Sequence, residues 1–216
     1  MSKKQPNFHQ EKRMDIRVDV SSYKSALCLE YNDFEEWFES LEPEEKYISN
    51  FRLRIYKVDE YENKQSEIGY LRGNFFEAEI NYDDVDFFWL CDMVSQELCN
   101  MAEAITKNGM VKESICEYDE NIAYIDRIYI EPEYQNCGIG TYIINNLHEI
   151  MSFYLNLRPN VFILQPVPQA RNEIGEVCEA DDDTALKLNL KEELLLFYKR
   201  CGFKKVRGTD YMKKRV

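Results

Sequence analysis

The sequence has no long hydrophobic run, since none of its apolar stretches approaches the roughly 18 residues needed to cross a bilayer. Residues 1–13 are polar and basic, without the apolar segment of a secretory signal. The seven cysteines form no C-x-x-C pair and there are only two histidines, which argues against a disulfide framework and a metal site. These absences predict a cytoplasmic protein with reduced thiols, no metal, no membrane partner and a disordered tail over residues 1–13.

Acidic residues outnumber basic ones, 40 to 27, so the net charge is −13. This balance disfavours nucleic acid as a partner, because binding to phosphates needs basic residues, and it favours a cationic amine. At 216 residues, 44% of them hydrophobic, the chain can bury a substantial core. We therefore expect one domain over residues 14–216.

Apolar and charged residues alternate in the first part of the chain, which is typical of half-buried strands. The alternation covers residues 51–58 and continues over 67–80, and together these segments predict an antiparallel hairpin or meander. Asp83 and Asp84 can then cap a long helix, because apolar residues recur at three- and four-residue spacing as far as Ile105.

Strands and helices alternate in the second half of the chain. We expect strands at 122–130 and 161–164, helices at 138–155 and 186–200, and a closing hairpin after them. This order predicts a mixed α/β sheet with helices on both faces. The acidic segment 171–183 is either a solvated surface excursion or an acidic wall beside a binding site.

A glycine-containing turn follows the strand that ends at Ile130. Gly138 and Gly140 allow the backbone to turn and to approach a ligand, and a helix that starts here exposes N–H groups suited to a pyrophosphate. The turn is not a P-loop, because Thr141 follows Gly140 without a lysine. It is not the dinucleotide fingerprint either, because residue 143 is isoleucine instead of a third glycine.

The turn at residues 135–140, Gln-x-x-Gly-x-Gly, resembles the acyl-CoA loop of the GNAT superfamily of N-acetyltransferases, whose pattern is (Arg or Gln)-x-x-Gly-x-(Gly or Ala). Residues 198–203, Tyr-x-x-x-Gly-Phe, resemble the family's second CoA-contacting block, and residues 210–214 resemble its last strand. The resemblance covers roughly residues 122–214. It implies an α/β (α+β) fold with a mixed, mostly antiparallel central sheet, acetyl-CoA as co-substrate, and a primary amine of a small molecule or peptide as acceptor. A homodimer is common in that family.

The resemblance also assigns the parts of acetyl-CoA to parts of the chain. Backbone amides of the loop would take the pyrophosphate, and the strand before the loop would pair with the pantetheine arm and polarise the thioester carbonyl. The residues assigned to acetyl-CoA in this way are Ile128, Tyr129, Ile130, Gln135, Asn136, Cys137, Gly138, Ile139, Gly140, Thr141, Tyr198 and Lys199. The basic residues around the second block either help to hold the CoA phosphates or form a solvated face.

Tyr198 matches the tyrosine that, in many members of the family, donates a proton to the CoA thiolate. A phenol with a pKa of about 10 is a suitable donor for a thiolate. The structural alternative is an aromatic side chain packed at the end of a helix.

Asp126 is the candidate general base. It lies nine residues before Gln135, where polyamine acetyltransferases of the superfamily carry a glutamate that engages the acceptor amine. Strand alternation predicts that Asp126 shares a face with Ile128 and Ile130, and that Arg127 points to the other face. The alternative is an aspartate that is paired with a side chain elsewhere in the fold.

An N-acetyltransferase that works by direct attack on acetyl-CoA is the favoured function. The second hypothesis is a non-catalytic module that binds acyl-CoA as a sensor or regulatory partner. The two differ in whether a channel leads from the surface to Asp126 and Tyr198. A structural domain with a fortuitous glycine turn is the third interpretation.

Overall fold

The computed structural model describes residues 15–23, 46–59, 64–82, 85–171, 177–179 and 184–216. The tail predicted at 1–13 lies outside these ranges. The strands are β1 (Asp15–Tyr23), β2 (Ile48–Asp59), β3 (Lys64–Phe76), β4 (Thr106–Lys107), β5 (Met110–Val111), β6 (Ile122–Ile130), β7 (Val161–Leu164), β8 (Gln169–Arg171), β9 (Val177–Glu179), β10 (Lys204–Lys205) and β11 (Met212–Arg215). The α-helices are α1 (Glu79–Tyr82), α2 (Phe87–Val94), α3 (Gln96–Ile105), α4 (Ile139–Ile150) and α5 (Thr184–Arg200).

Seven strands form one mixed sheet in the order β1-β2-β3-β6-β7-β11-β10. Neighbouring strands are antiparallel except β6 and β7, which run parallel. The helix α4 provides the crossover between these two parallel strands, as a parallel pair requires. The mostly antiparallel sheet expected from the sequence is confirmed, and β6 has the bounds that were predicted for it.

Two apolar clusters cover the two faces of the sheet. On one face, α2 and α3 pack onto Ile122 and Tyr124 of β6. On the other face, α4 packs onto Ala123 and Ile125, and Tyr198 of α5 joins the same cluster. Alternate residues of β6 therefore serve opposite cores, which is why its first half is apolar at nearly every position.

The single helix expected to begin at Asp83 is two helices, and the expectation is corrected here. Asp86 caps α2 by accepting a hydrogen bond from the Trp89 N–H at 3.0 Å. Ser95 is in an extended conformation, ends α2 and caps α3 through the Leu98 N–H. Apolar spacing alone could not locate this break, because both helices present their apolar residues to the same core.

The extended pattern predicted as far as residue 80 ends at Phe76, and residues from Glu79 form α1. The other predicted elements differ from the structure mainly at their ends. The helix predicted at 138–155 is α4 followed by one π-helical turn, Met151–Leu155. Within the acidic segment 171–183, β9 pairs with β8 in a small antiparallel hairpin, and most of the remaining positions lie outside the described ranges. In the part of the chain that is described, no helix has the length and apolar character required to cross a membrane.

Candidate active site

A β-bulge in β6 marks the centre of the site. The pairing of β6 with β3 shifts register between Arg72 and Gly73, which face Arg127 and Ile125. Asp126 is therefore an extra residue without a cross-strand counterpart. The glycine at position 73 makes this kink compatible with the sheet, because a Cβ there would lie 2.0 Å from the Tyr124 carbonyl oxygen.

The strands β6 and β7 separate at the same point. They pair only from Ile122 to Ile125 on β6 and from Val161 to Leu164 on β7. Beyond Ile125, no described strand pairs with that edge of β6. The separation leaves a cleft through the sheet whose wall is the unpaired edge of residues 126–130. Such an edge offers backbone N–H and C=O groups to an extended ligand.

Because of the bulge, side chains of β6 beyond Asp126 point to the face of the sheet opposite to the one predicted. Residues before it alternate as expected, with Tyr124 in the core under α2 and α3. Beyond it, Ile128 and Ile130 pack against the other core, whereas Asp126 and Arg127 line the same cavity. The prediction that Arg127 points away from Asp126 is therefore wrong, because one inserted residue reverses the parity of every later position.

The loop after β6 has the backbone conformation that its glycine pattern predicts. A 3-10 turn at Pro132–Tyr134 leads to Asn136 at φ 59° and Gly138 at φ 81°, both left-handed. The first helical hydrogen bond of α4 runs from the Tyr142 N–H to the Gly138 carbonyl at 2.9 Å. The amides of residues 139–141 thus have no acceptor within the helix and point out of its N-terminus.

The two sequence blocks that resemble CoA-contacting segments meet around this helix start. A Cβ placed on Gly140 would touch both Ile130 Cδ1 and Phe197 Cζ at 3.4 Å. The end of β6, the loop and α5 are therefore in contact, although Phe197 lies far from the other two in sequence. Gln135 donates a hydrogen bond from Nε2 to the Ile130 carbonyl at 2.8 Å, so its side chain stabilises the loop in this structure.

Tyr198 is enclosed next to this contact. Its side chain is 4% exposed, and its ring packs edge-on against Phe197 and Phe203 with centroid distances of 4.9 and 5.7 Å. Burial raises the pKa of its phenol, which keeps the hydroxyl protonated. The packing matches the structural alternative stated above, and the proton-donor role stays a prediction.

Asp126 opens into a cavity of about 110 Å³ on the face covered by α2 and α3. Because Gln165 and Gln169, which follow β7, lie in its wall, the cavity stands beside the cleft between β6 and β7. The residues that line it are Glu97, Asn100, Tyr124, Asp126, Arg127, Gln165, Val167, Gln169 and Tyr211.

Two carboxyl groups interact in this cavity. Burial raises the pKa of Glu97, and the charge of Asp126 and a hydrogen bond between the two side chains raise it further, against the opposing effect of Arg127 and Arg72. Asp126 also forms an ion pair with Arg72, with 2.5 Å between Oδ2 and Nε. The alternative that Asp126 is paired with a side chain elsewhere in the fold is thus correct, because Arg72 lies on β3.

Two phenols complete the polar wall. Burial raises the pKa of Tyr211 to about 12, and burial also raises the pKa of Tyr124 above its usual range. Both hydroxyls are therefore protonated at neutral pH and can donate hydrogen bonds.

Sequence patterns did not single out Glu97, Tyr124 or Tyr211 as site residues. Glu97 belongs to a helix inserted between two paired strands, β3 and β6, and only the packed fold brings it to Asp126. The position of Tyr124, two residues before Asp126 on the same strand, was the one feature of the sequence that could have identified it as a site residue. Tyr211 lies at the start of the last strand predicted from the sequence.

Four further residues assigned to acetyl-CoA have exposed side chains. The side chains of Asn136, Cys137 and Thr141 are exposed in the loop, and Lys199 is exposed on α5. Tyr129 is buried, donates a hydrogen bond to Glu131 at 3.0 Å and pairs with Tyr70 of β3, so neither its side chain nor its backbone faces the cleft. Among the described residues, no group of three His, Cys, Asp or Glu side chains is placed to hold a metal ion.

A model of the acetyltransferase (GNAT) domain matches residues 84–205. Because this match covers more than half of the 216 residues, the chain belongs to the GNAT acetyltransferase family. The match begins just before α2, well upstream of the segment 122–214 in which the sequence motifs lie. A search of curated proteins finds no match.

Solved structures give low-similarity alignments. A chain of the KacTA–DNA complex aligns with 92% of this chain and 93% of its own length at 10% identity, with a TM-score of 0.40. Arabidopsis thaliana NAA60 in complex with acetyl-CoA aligns over 74% and 72% at 13% identity, with a TM-score of 0.36. A SpeG spermidine N-acetyltransferase chimera from Vibrio cholerae and hSSAT aligns over 77% and 67% at 13% identity, with a TM-score of 0.33.

Proposed function

We propose that the protein transfers an acetyl group from acetyl-CoA to a primary amine of a small molecule or peptide. The observation that carries the proposal is the position of Asp126. The bulge that exposes this carboxylate to a cavity lies where β6 and β7 separate, on the strand that leads to the glycine loop. Family membership supports acetyl transfer, and this arrangement suggests how it would occur here.

Acetyl-CoA would bind on the side of α4. Its pyrophosphate would accept hydrogen bonds from the amides at the start of α4, where the helix dipole favours negative charge. The pantetheine arm would extend along the free edge of β6. The Glu131 N–H bonds to Ile68 on β3, so the backbone groups of Ile130 and Ile128 face the cleft by strand alternation. Gln135 must release the Ile130 carbonyl if the arm is to use it.

The amine would enter from the opposite face, through the cavity beside α3. Asp126 and Glu97 would hold its ammonium group and then accept its proton. A carboxyl group whose pKa is raised is the better base near neutral pH, and the Glu97–Asp126 pair supplies one. The two substrates would then meet at the gap in the sheet.

The reaction would proceed by direct attack. The deprotonated amine nitrogen bonds to the thioester carbon, and a backbone N–H of β6 stabilises the oxyanion. The carbon–sulfur bond then breaks, giving the acetylated amine and the CoA thiolate, and a phenol protonates the thiolate. Tyr198 is the predicted donor, and Tyr211 and Tyr124 are the phenols that line the cavity.

Release of CoA thiol in the presence of a panel of amines tests the proposal. We expect turnover with at least one primary amine, and Asp126→Asn should lower kcat/KM by about a hundredfold or more, as loss of a general base does. Absence of turnover with polyamines, amino acids and peptide N-termini, in protein that binds acetyl-CoA, would contradict the proposal.

Two matched variants identify the proton donor. Tyr198→Phe and Tyr211→Phe each remove one hydroxyl from a buried ring and keep its packing. If Tyr198 is the donor, its variant loses turnover and keeps its affinity for acetyl-CoA, while Tyr211→Phe does not lose turnover. The reverse result would transfer the role to Tyr211, and an equal loss of turnover and affinity in Tyr198→Phe would refute the role of Tyr198.

A non-catalytic acyl-CoA-binding module is the second candidate, and the enclosure of Tyr198 is the observation in its favour. Such a protein would bind acetyl-CoA through the same loop without using the cavity at Asp126. Calorimetric binding of acetyl-CoA, combined with no thiol release for any amine, would favour this function.

A further inference from the structure

Three arginines stand side by side across the sheet. The strand registers place Arg52 of β2 opposite Arg72 of β3, and Arg72 opposite Arg127 of β6. Directly opposed residues of antiparallel strands share a face. Since Arg127 lines the cavity and Arg72 pairs with Asp126, the three side chains form a row that leads away from the proposed amine site. We call this set the arginine row.

Such a row costs free energy unless negative charge lies against it, because like charges at opposed strand positions are destabilising. Asp126 supplies one carboxylate, to Arg72. Glu97 is the second acid beside the row, and burial and the charge of Asp126 raise its pKa. Position 21 of β1, which faces Arg52 at the outer end of the row, is a serine and brings no charge.

Arg52 is held in place, with donor capacity left over. Its guanidinium carbon lies 5.2 Å from the centre of the Tyr70 ring, which fixes the plane of the group. Its Nε is enclosed and finds no hydrogen-bond acceptor among the described residues. A buried donor without an acceptor is unfavourable. A planar guanidinium with free donors is the group that binds carboxylates and phosphates in a forked geometry.

We infer that the arginine row binds an anionic group of the acceptor, so that the substrate is an amine that also carries a carboxylate or a phosphate. The inference rests on the proposed function, because it takes the Glu97–Asp126 pair as the amine site. Neighbouring strands lie about 4.8 Å apart, so the anion would stand roughly 5–10 Å from the amine. The overall charge of −13 favours a purely cationic acceptor, and the local charge at the site favours one with both signs.

A pair of substrates that differ only at the far end tests this. A linear six-carbon diamine and the ω-amino acid of equal length both present a primary amine, and only the second carries a carboxylate. We expect kcat/KM for the ω-amino acid to exceed that for the diamine by about tenfold or more, the gain typical of a hydrogen bond between charged groups.

Variants in the row identify its role. Arg52→Gln should lower kcat/KM for the ω-amino acid by about tenfold and leave the diamine unchanged, and Arg52→Lys should recover part of the loss because it keeps the charge without the fork. Arg54→Gln is the matched control, because Arg54 lies two residues along the same strand and faces Tyr70 outside the row. If Arg52→Gln does not fold, Arg52→Lys takes its place in the test. A decrease in kcat/KM for the ω-amino acid and not for the diamine would then support the anion site.

The outcomes separate this inference from the proposed function. Equal rates for the two substrates, unchanged by Arg52→Gln, would overturn the inference and would not affect the proposed acetyltransferase function. We expect the same result if acidic side chains of the protein itself pair with the arginine row. If no amine reacts, the proposed function fails, but the anion site can still be tested by thermal stability. The site is supported if the ω-amino acid stabilises the protein, the diamine does not, and Arg52→Gln removes the effect. No stabilisation by either compound would overturn it.

Discussion

The pairing of Glu97 with Asp126 joins two parts of the chain that lie far apart in the sequence. Asp126 is part of the strand that leads to the acyl-CoA loop, and Glu97 belongs to a helix inserted between β3 and β6. Two carboxyl groups that share a cavity cannot both ionise at their usual pH. Arg72 partly offsets the repulsion between the two carboxylates through its ion pair with Asp126.

The raised pKa of Glu97 has a consequence for stability. A group whose pKa is raised by folding stabilises the folded state while it is protonated, and this contribution is lost as the pH rises through the raised value. Glutamine does not titrate. We therefore expect the stability of Glu97→Gln relative to the wild type to increase as the pH rises from the usual glutamate range upward, measured by urea unfolding at several pH values.

Glu103→Gln provides the control for this measurement. Glu103 lies on the same helix and is exposed, outside the residues that line the cavity. Its substitution should show no comparable trend with pH. A constant difference between Glu97→Gln and the wild type across the range would contradict the carboxyl pairing.

At the scale of elements, the loop before α4 depends on one glycine more than on the other. Gly138 has φ 81°, and a Cβ there would meet nothing within 4 Å, so Gly138→Ala introduces backbone strain without a clash. We expect a loss of about 1 kcal/mol in the free energy of unfolding, measured by urea titration. Gly140→Ala is the matched control, because its Cβ would make ordinary contacts at 3.4 Å and alanine favours the helix.

The comparison of these two variants is decisive because both add one methyl group to the same loop. Gly140→Ala should be neutral or slightly stabilising. Equal destabilisation by both would mean that steric crowding limits the loop, contrary to the left-handed conformation assigned to Gly138.

Some features of the strands and helices could not be predicted from sequence patterns. The apolar character of residues 122–130 identified β6 correctly, yet it could not show that the register shifts opposite Gly73. A bulge adds one residue without changing composition, so the pattern on each side still reads as a strand. The same holds for the break at Ser95, which a continuous apolar spacing conceals.

At the scale of the whole molecule, the sheet separates two working faces. The glycine loop and α5 belong to one face, and the cavity with the carboxyl pair belongs to the other. The strands β6 and β7 stop pairing after Ile125, and the two substrates would meet there if the proposed function is correct. A homodimer and the absence of a nucleic-acid partner stay predictions at this scale.

Cysteine accessibility offers a measurement of ligand binding that does not depend on turnover. Cys137 is exposed in the loop, whereas Cys91, Cys99, Cys116 and Cys201 are buried. If the loop holds the pyrophosphate, acetyl-CoA at ten times its Kd should slow alkylation of Cys137 about tenfold, because only the free protein reacts. Peptide mass spectrometry after iodoacetamide treatment gives the rate for each cysteine.

Pantetheine, which lacks the diphosphate, is the control ligand and should not protect Cys137 at the same concentration. The protein must first be shown by calorimetry to bind acetyl-CoA. If Cys137 is then alkylated at the same rate with and without acetyl-CoA, the pyrophosphate binds elsewhere.

The sequence by itself determined the mixed sheet, the strand β6, the glycine loop and the family resemblance, because each depends on residues close together in the chain. Periodicity and glycine positions are local properties, so they can be read without the fold. Only the tertiary structure decided which side chains face one another. It brought Glu97 to Asp126, Phe197 to Gly140, and Arg52 to Arg72, since strand register and helix packing bring together residues that are distant in the chain.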